Sequence, residues 1–404
     1  MMTPRKDGLV NDELSASHGK GVEECVERAA RLGELIAAQG DAIEKERHLP
    51  EVVVSALHDE QLMRMLAPRS VAGLEVTPSH YLETIRTLAH FDGSVAWNAF
   101  VANSSALIAA HLPLDVAREI YADPRALIAW GPPNQYQATA VEGGYQVAGI
   151  WPFASGCRHA TWMGAHCQVV EADGALRLHA NGHPGIRTLL FPANEAKLLG
   201  DWNPIGLRGT GSESYEVSGV FVPEHHSSTR EEPDARRERG PLYAFTQQGL
   251  YAVGVAGVAL GIAGGMLDAF IELSLSKTPR GLARNADRPG IQAEVARATA
   301  ALGSARAWLL EILDTIYQRS ATVSSIDTAD RAQVRLACSD AIQKSIEVAT
   351  TTYRLAGVDA IFPGSHFERR FRDINTLSQQ IQSRPAHFEA VGAILLGATP
   401  ITFY

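Results

Sequence analysis

Residues 143–156 read Gly-Gly-Tyr-Gln-Val-Ala-Gly-Ile-Trp-Pro-Phe-Ala-Ser-Gly. Gly143-Gly144 is a turn dipeptide, flanked by the short runs Ala140-Val141 and Tyr145-Gln146-Val147. Alternating residues on both sides of a glycine turn predict a β-hairpin. Two more turn dipeptides stand at Asp173-Gly174 and Asn181-Gly182, accompanied by the runs His166-Cys167-Gln168-Val169 and Leu176-Arg177-Leu178. The region 125–229 therefore reads as a small antiparallel β-domain.

Outward from this region, in both directions, the period becomes helical. In 21–124, Val26, Ala29-Ala30, Leu32-Gly33 and Leu35-Ile36 recur at a spacing of three to four, with Glu27, Arg28, Arg31 and Glu34 between them. Pro50-Glu51 and Pro78-Ser79 open a second and a third helix, since proline suits a first helical turn. Asp92-Gly93-Ser94 breaks the pattern before a fourth, Val95 to His111, which Pro113 ends. Residues 230–240 (REEPDARRERG) are a charge-dense linker and read as a solvated loop. From 241 to 404 the pattern predicts four or five long helices, with Ala-rich windows at Ala293–Leu313 and Ala332–Leu355 that suit a bundle. Residues 1–20 are expected to be disordered or extended. The predicted class is α+β, in the order helices, strands, helices.

Composition narrows the function. Of 404 residues, 46% are hydrophobic and 20% charged, enough for a sizeable core. A net charge of −9 argues against nucleic acid as a partner. Cys25, Cys157, Cys167 and Cys338 are scattered with no CxxC pair, which points to a reducing, cytoplasmic setting and away from a metal site. The first 28 residues are polar and no apolar run follows them, so no signal peptide is expected. Gly249–Leu267 is uncharged, but Gly254, Gly257, Gly261, Gly264 and Gly265 recur within it. Such spacing lets helix backbones approach closely, and a buried core helix is expected rather than a membrane span. No phosphate-binding glycine loop, zinc-protease helix motif or nucleophile-elbow motif occurs. Gly209-Thr210-Gly211 is followed by Ser212-Glu213-Ser214, outside any βαβ unit, so a dinucleotide site is not expected. His225-His226 reads as a polar turn.

The helix–strand–helix order resembles the acyl-CoA dehydrogenase fold, on four strings spread over about 25–395. The 143–156 stretch resembles that family's hairpin and flavin-facing strand. Gly206-Leu207-Arg208-Gly209-Thr210-Gly211-Ser212, followed by Val220-Phe221-Val222-Pro223, resembles its second β signature. Ala293-Glu294-Val295-Ala296 through Arg306 resembles a bundle helix at a subunit interface. Glu368-Arg369-Arg370-Phe371-Arg372-Asp373 resembles its C-terminal Glu-Arg-x-x-Arg-Asp segment.

Two departures bear on activity. Many of the dehydrogenases carry a catalytic Glu downstream of that Asp, where this chain has Ser378-Gln379-Gln380-Ile381-Gln382-Ser383. Abstraction of a proton next to a thioester needs a positioned base, and glutamine cannot serve. The family's Thr-Glu-Pro flavin strand is replaced by Ala129-Trp130-Gly131-Pro132-Pro133. Both departures resemble the flavin-dependent monooxygenase branch, the oxygenase components of para-hydroxyphenylacetate, steroid-phenol and polyketide hydroxylases. That resemblance implies reduced flavin (FMNH2 or FADH2) delivered by a separate reductase and O2 as co-substrate. It also implies a flavin C4a-hydroperoxide that hydroxylates an aromatic or polyketide-like small molecule, in a homotetramer without metal, nucleic acid or membrane. The alternatives are an acyl-CoA dehydrogenase with a relocated base, an N- or S-oxygenating relative, and a non-catalytic flavin-binding homologue.

The resemblance also assigns residues. Ser155 is expected to face flavin N5, where its hydroxyl can donate or accept and slows loss of peroxide. Trp151 and Phe153 are expected on one face of the same strand, with Phe153 equally suited to core packing. Trp130 and Gly156 complete the ring contacts, and Arg280, with Arg369 as a second candidate, is expected near the flavin phosphate. Arg372-Asp373 reads as a structural ion pair. Pro385 suits the first turn of a last helix, which puts His387 near a positive helix end that disfavours imidazolium. In the resembling hydroxylases a His here takes the phenol proton or hydrogen-bonds the peroxide. Trp97, Ser104 and His111 fall on one helical stripe beside Asn103, and in the resembling fold that helix borders the substrate cavity. The same spacing also suits a helix packed on the β-domain with Trp97 in the core.

Overall fold

The computed structural model describes residues 24–133, 136–178, 182, 184–229 and 235–399. The expected extended segment 1–20, Asn181 of the third turn dipeptide, and 230–234 of the linker lie outside them.

A helical stretch over 24–31 leads into α1 (Gly33–Glu46). Cys25, Ala29, Leu32, Gly33, Ile36, Gly40 and Ile43 form its buried stripe, the three-to-four spacing read from the sequence. In α2 (Glu51–Asp59), Pro50 is the cap rather than the first helical residue. In α3 (Pro78–Phe91) proline does take the first position, behind the Thr77 cap. The carboxylate of Asp92 ends α3 and starts α4 (Gly93–Ala106), accepting from the N–H groups of Ser94 and Val95 at 2.8 and 3.0 Å. An aspartate there satisfies amide donors that the helix leaves unpaired. After Ala106 the chain tightens into a 3-10 turn, Leu107–His111, and α5 (Leu114–Ile120) follows Pro113.

The central region carries β1 (Ile128–Trp130), β2 (Gln137–Val141), β3 (Gly144–Ala154), β4 (Trp162–Val170), β5 (Ile186–Pro192), β6 (Lys197–Leu198), β7 (Glu213–Pro223) and β8 (Ser227–Ser228). The strands run in the order β6-β7-β3-β2-β4-β5-β8, with β1 also on β4. Val141 pairs with Gly144 across the predicted turn, and Gly143 has φ +78°. The sheet is not wholly antiparallel, since β1 and β2 both run parallel to β4. They share one edge of β4, and the break between them contains Pro132-Pro133. Proline has no N–H for the ladder, so one continuous strand cannot form there.

Five helices follow: α6 (Gln247–Ser276), α7 (Pro289–Ser320), α8 (Thr328–Ala356), α9 (Glu368–Leu377) and α10 (Ala386–Leu395). α6 is long and apolar enough to cross a bilayer, but 89% of its most apolar window is buried inside the protein. Its glycines explain how. A Cβ on Gly254 would sit 2.6 Å from both the Phe100 ring and the Tyr81 hydroxyl, and one on Gly261 would sit 2.3 Å from the Arg86 carbonyl. The stripe closes α6 onto α3 and α4 of the same chain. One core runs through the N-terminal helices, the sheet and the bundle.

Candidate active site

The alternation of β3 stops before its last residue. Trp151 is fully buried, stacked on Tyr215 at 5.6 Å and 16°, and its indole N–H donates to the His166 carbonyl at 3.3 Å. The pairing with β7 slips between Trp151 and Ala154, and Phe153 adopts φ +62°. A left-handed backbone at a bulky residue is strained. It turns the Phe153 ring outward, 61% exposed, edge-on to Trp202 at 6.3 Å. Trp151 and Phe153 thus do not share a face, and Trp151 is core rather than a ring contact.

Beyond Phe153 lies half-buried Ser155, joined to a row of hydroxyls. The Trp97 indole N–H donates to Ser155 Oγ at 3.1 Å. Ser155 Oγ lies 2.6 Å from Ser212 Oγ, which lies 2.7 Å from Thr210 Oγ1. The Thr210 hydroxyl donates to the Leu207 carbonyl at 2.8 Å. Gly156, at φ +75°, is buried beneath Ser155, and its N–H donates to the Thr210 carbonyl at 2.9 Å. A Cβ there would stand 3.0 Å from Asn98 Oδ1. The Asn98 amide donates to the carbonyls of Ser94 and Gly209 at 2.9 and 3.1 Å, which ties α4 to the 206–212 loop. Ser212, Thr210 and Asn98 had no role in the sequence reading. The Gly-Thr-Gly-Ser string marked the place, but only the β3–β7 pairing brings its hydroxyls to Ser155.

The α4 stripe divides. Trp97 stays beside Ser155, edge-on to Phe100 at 4.7 Å, and Phe100 is edge-on to Tyr251 of α6 at 4.9 Å. The Tyr251 hydroxyl meets the Gln380 side chain. Ser104 is buried, its carbonyl accepts from Gln247 at 3.1 Å, and its hydroxyl has no partner. Asn103 does not face a cavity. It is fully buried, accepts from the Leu66 N–H at 3.0 Å, and donates to the carbonyls of Leu62 and Ala99 at 2.7 and 2.8 Å. Its hydrogen-bonding capacity is spent on backbone, so it is structural. His111 leaves the stripe because the helix has become 3-10. It lines a cavity of about 20 Å³ with Leu107, Tyr243, Phe245 and Gln247, room for a water and not for a ring.

The 378–383 segment holds no carboxylate. Gln380 accepts from the Gln382 N–H at 2.6 Å. The Gln382 side chain accepts from buried Arg335 and donates to Gln248 at 3.2 Å. His387 is the second residue of α10, behind Pro385, as its position after that proline predicted. Its Nε2 lies 2.8 Å from the Ile381 carbonyl. A carbonyl only accepts, so Nε2 carries the proton and Nδ1 is the ring's acceptor. Burial, then the Arg335 and Arg384 guanidinium groups, hold its pKa below the usual histidine value. The ring is neutral at pH 7.

Other expected contacts fall elsewhere. Arg369, the second candidate for the phosphate, pairs with Asp41 at 2.7 Å and approaches Glu44 at 3.9 Å, bracing α9 on α1. Arg372 and Asp373 do not pair with each other. Arg372 binds Glu44 at 2.8 Å and Glu368 at 3.0 Å. Asp373 is buried and accepts from the Leu207 N–H at 2.6 Å, and burial, then Asp92, pushes its carboxyl up to about 7. Arg280 is exposed on the turn after α6. Trp130 is half-buried over Gly164, with its ring 5.0 Å from His166. A cavity of about 390 Å³ between Trp162, His226 and Glu119 touches none of the expected residues.

Comparison with known proteins places this arrangement in a class. Residues 253–385 match the family described as acyl-CoA dehydrogenase, C-terminal domain. The chain is 30% identical over 383 residues to an indole-3-acetate monooxygenase of Pseudomonas putida, covering 93% of this chain and 92% of the relative. It is 26% identical over 391 residues to the oxygenase component of an FADH2-dependent resorcinol hydroxylase of Rhizobium sp., covering 92% of each. The solved structure of XiaF from Streptomyces sp., in complex with FADH2 and glycerol, superposes with a TM-score of 0.88 at 23% identity, over 97% of this chain and 99% of that one. The chain belongs to the flavin-dependent monooxygenases of the acyl-CoA dehydrogenase fold. It is an enzyme, the oxygenase component of such a system.

The ledge fits a flavin by the chemistry of its groups. Phe153 offers an outward aromatic face, held there by its left-handed backbone. Ser155 offers a half-exposed hydroxyl at the strand end, with the donor Trp97 behind it.

Proposed function

We propose that this chain hydroxylates an aromatic small molecule of the phenol or indole type, using O2 and reduced flavin, FMNH2 or FADH2, supplied by a separate reductase. The observation that carries the reading is the junction of the Ser155–Phe153 ledge with the aromatic row Trp97, Phe100 and Tyr251. Bound reduced flavin supplies the electrons that activate O2. Phe153 and Ser155 would hold its ring, with Gly156 behind them, and the exposed Arg280 would take the phosphate. Edge-on aromatic contacts suit a flat substrate ring next to that ledge. Gln248, Gln380 and Gln382 supply polar groups at its far side.

His387 is the proton acceptor in this reading. Its Nε2 is committed to Ile381, which leaves Nδ1 as the nitrogen able to accept the proton of a substrate hydroxyl. A ring held neutral by burial and two guanidinium groups can take that proton near pH 7. The dehydrogenase alternative lacks support at 378–383, where glutamines are bound to one another, to Tyr251 and to Arg335. We assign the enzyme to the cytoplasm, supported by four buried cysteines, all free. We also assign it to a homotetramer. Exposed Leu275, Val358, Phe362, Leu395 and Leu396 near the ends of bundle helices support burial against another protomer.

The test supplies purified protein with NADH, a flavin reductase, flavin and O2, and offers indole-3-acetate or resorcinol. A product heavier by one oxygen atom, formed only with the reductase present, is expected. Reduction of bound flavin by NADH without a reductase would overturn the two-component reading.

A further inference from the structure

His225-His226, read from the sequence as a polar turn, does more than turn the chain. His225 is exposed, whereas His226 is 8% exposed. The His226 imidazole stacks on Trp162, with ring centres 5.5 Å apart and planes at 10°. Its Nε2 stands 3.4 Å from a carboxylate oxygen of Glu119 on α5. Burial, more than any neighbouring charge, holds its pKa below the usual histidine value, so the ring is neutral at pH 7. A carboxylate only accepts, so the proton sits on Nε2 and Nδ1 is the ring's acceptor. That Nδ1 is buried and has no hydrogen-bond partner among the described residues. Such an acceptor is costly and uncommon in native proteins.

His226 lines a cavity of about 390 Å³ with Trp162, Phe191, Phe221, Glu119 and Glu195. The volume falls in the range of small-molecule sites, about 300–1,000 Å³. The three aromatic residues come from three strands, β4, β5 and β7, and Phe221 is 48% exposed. The two carboxylates come from α5 and from the turn after β5, and both residues are exposed. No lysine or arginine is among the described residues that line the cavity. Neither Trp97, Phe153, Ser155 nor His387 lines it, so it is separate from the ledge.

We propose that this cavity is a second small-molecule site and that it takes a protonated arylalkylamine. An alkylammonium brings up to three N–H donors and no acceptor. His226 Nδ1 and the carboxylates of Glu119 and Glu195 are the acceptors that receive them. The aromatic body of the ligand packs on Phe191 and Phe221, and its positive charge is attracted by the face of Trp162. An anion of the same shape meets two like charges with no cation to offset them. The carboxylates give the site its charge preference, and the buried imidazole marks where the ammonium sits.

The test titrates tryptamine into the full-length protein, without flavin, by calorimetry. The wild type is compared with the double variant Glu119→Gln/Glu195→Gln, with Trp162→Leu and with His387→Ala. Saturable binding is expected in the wild type. The carboxylate variant and Trp162→Leu should each weaken it tenfold or more, and His387→Ala should leave it unchanged. Added salt should weaken wild-type binding and have little effect on what remains in the carboxylate variant. Both glutamates are exposed, so the double variant should melt as the wild type does, and it decides the matter if Trp162→Leu does not fold. No saturable binding to the wild type, or undiminished binding to the carboxylate variant, would overturn the proposal. Binding lost in His387→Ala and kept in the carboxylate variant would assign the amine to the ledge instead, and the second site would fall.

Discussion

Trp97 and Ser155 belong to different parts of the fold, one on α4 and one just past β3, and a 3.1 Å hydrogen bond joins them. The bond closes the gap between the helical N-terminal region and the sheet at the point where the aromatic row begins. Trp97→Phe keeps the ring contact with Phe100 and removes the N–H. Stability should fall by about 0.5–1.5 kcal/mol, the net worth of one ordinary hydrogen bond. Ser155→Ala should also fold, with a similar loss. In assays with reductase, both variants should release more hydrogen peroxide per NADH consumed than the wild type. Wild-type coupling in both would detach this junction from the reaction.

His387→Ala should bind reduced flavin as the wild type does and hydroxylate a phenolic substrate about 10²-fold or more slowly. In the wild type, activity should fall on acidification with a midpoint below 6.5, because the folded ring gives up its proton more readily than a free one. The unfolded chain binds that proton first, so the histidine also costs stability as pH drops below 6.5. A pH profile unchanged in the variant would remove His387 from the proton path.

Asp373 titrates in the opposite sense. Its folded pKa is raised to about 7, above the ordinary 3.8. The folded chain binds the proton first, so its contribution is fully present below 3.8 and is lost progressively as pH rises from there through about 7. Asp373→Asn retains an acceptor for the Leu207 N–H and carries no charge. It should approach the wild type at about pH 4 and exceed it increasingly as pH rises toward 7 in urea unfolding. Asp373→Ala should be less stable at both, by about 1–3 kcal/mol, because the Leu207 N–H then lacks a partner.

Gly261 and Gly264 stand one turn apart on α6 and should respond with opposite signs. A Cβ at 261 meets the Arg86 carbonyl at 2.3 Å and the Ala89 Cβ at 2.4 Å, and one at 264 meets nothing within 4 Å. Gly261→Ala should force α6 from α3 and cost about 1–3 kcal/mol or more. Gly264→Ala should gain about 0.5–1 kcal/mol from helix propensity. Thermal melts of the two variants check both signs.

These residues also show how far the sequence could be read. Gly143-Gly144 announced its hairpin because a two-residue turn is a local matter. The α6 glycines announced close approach but not its partner, since the touching atoms belong to Tyr81, Arg86 and Phe100. Asn103 looked like a cavity residue because its saturating partners, Leu62 and Leu66, lie on a distant loop. The alternation rule placed Trp151 and Phe153 together, and one backbone angle separated them. The row through Ser212 and Thr210 was hidden for a related reason, as it exists only where two strands and a helix meet.

The left-handed turn at Phe153 divides two kinds of freedom. Trp151 answers to the interior, where an altered shape is felt by Tyr215 and the sheet behind it. Two residues later the side chain answers to whatever rests on the outside. Position 153 can therefore exchange one aromatic for another without asking the interior to rearrange. A single dihedral gives this enzyme a surface that is adjustable independently of the body that carries it.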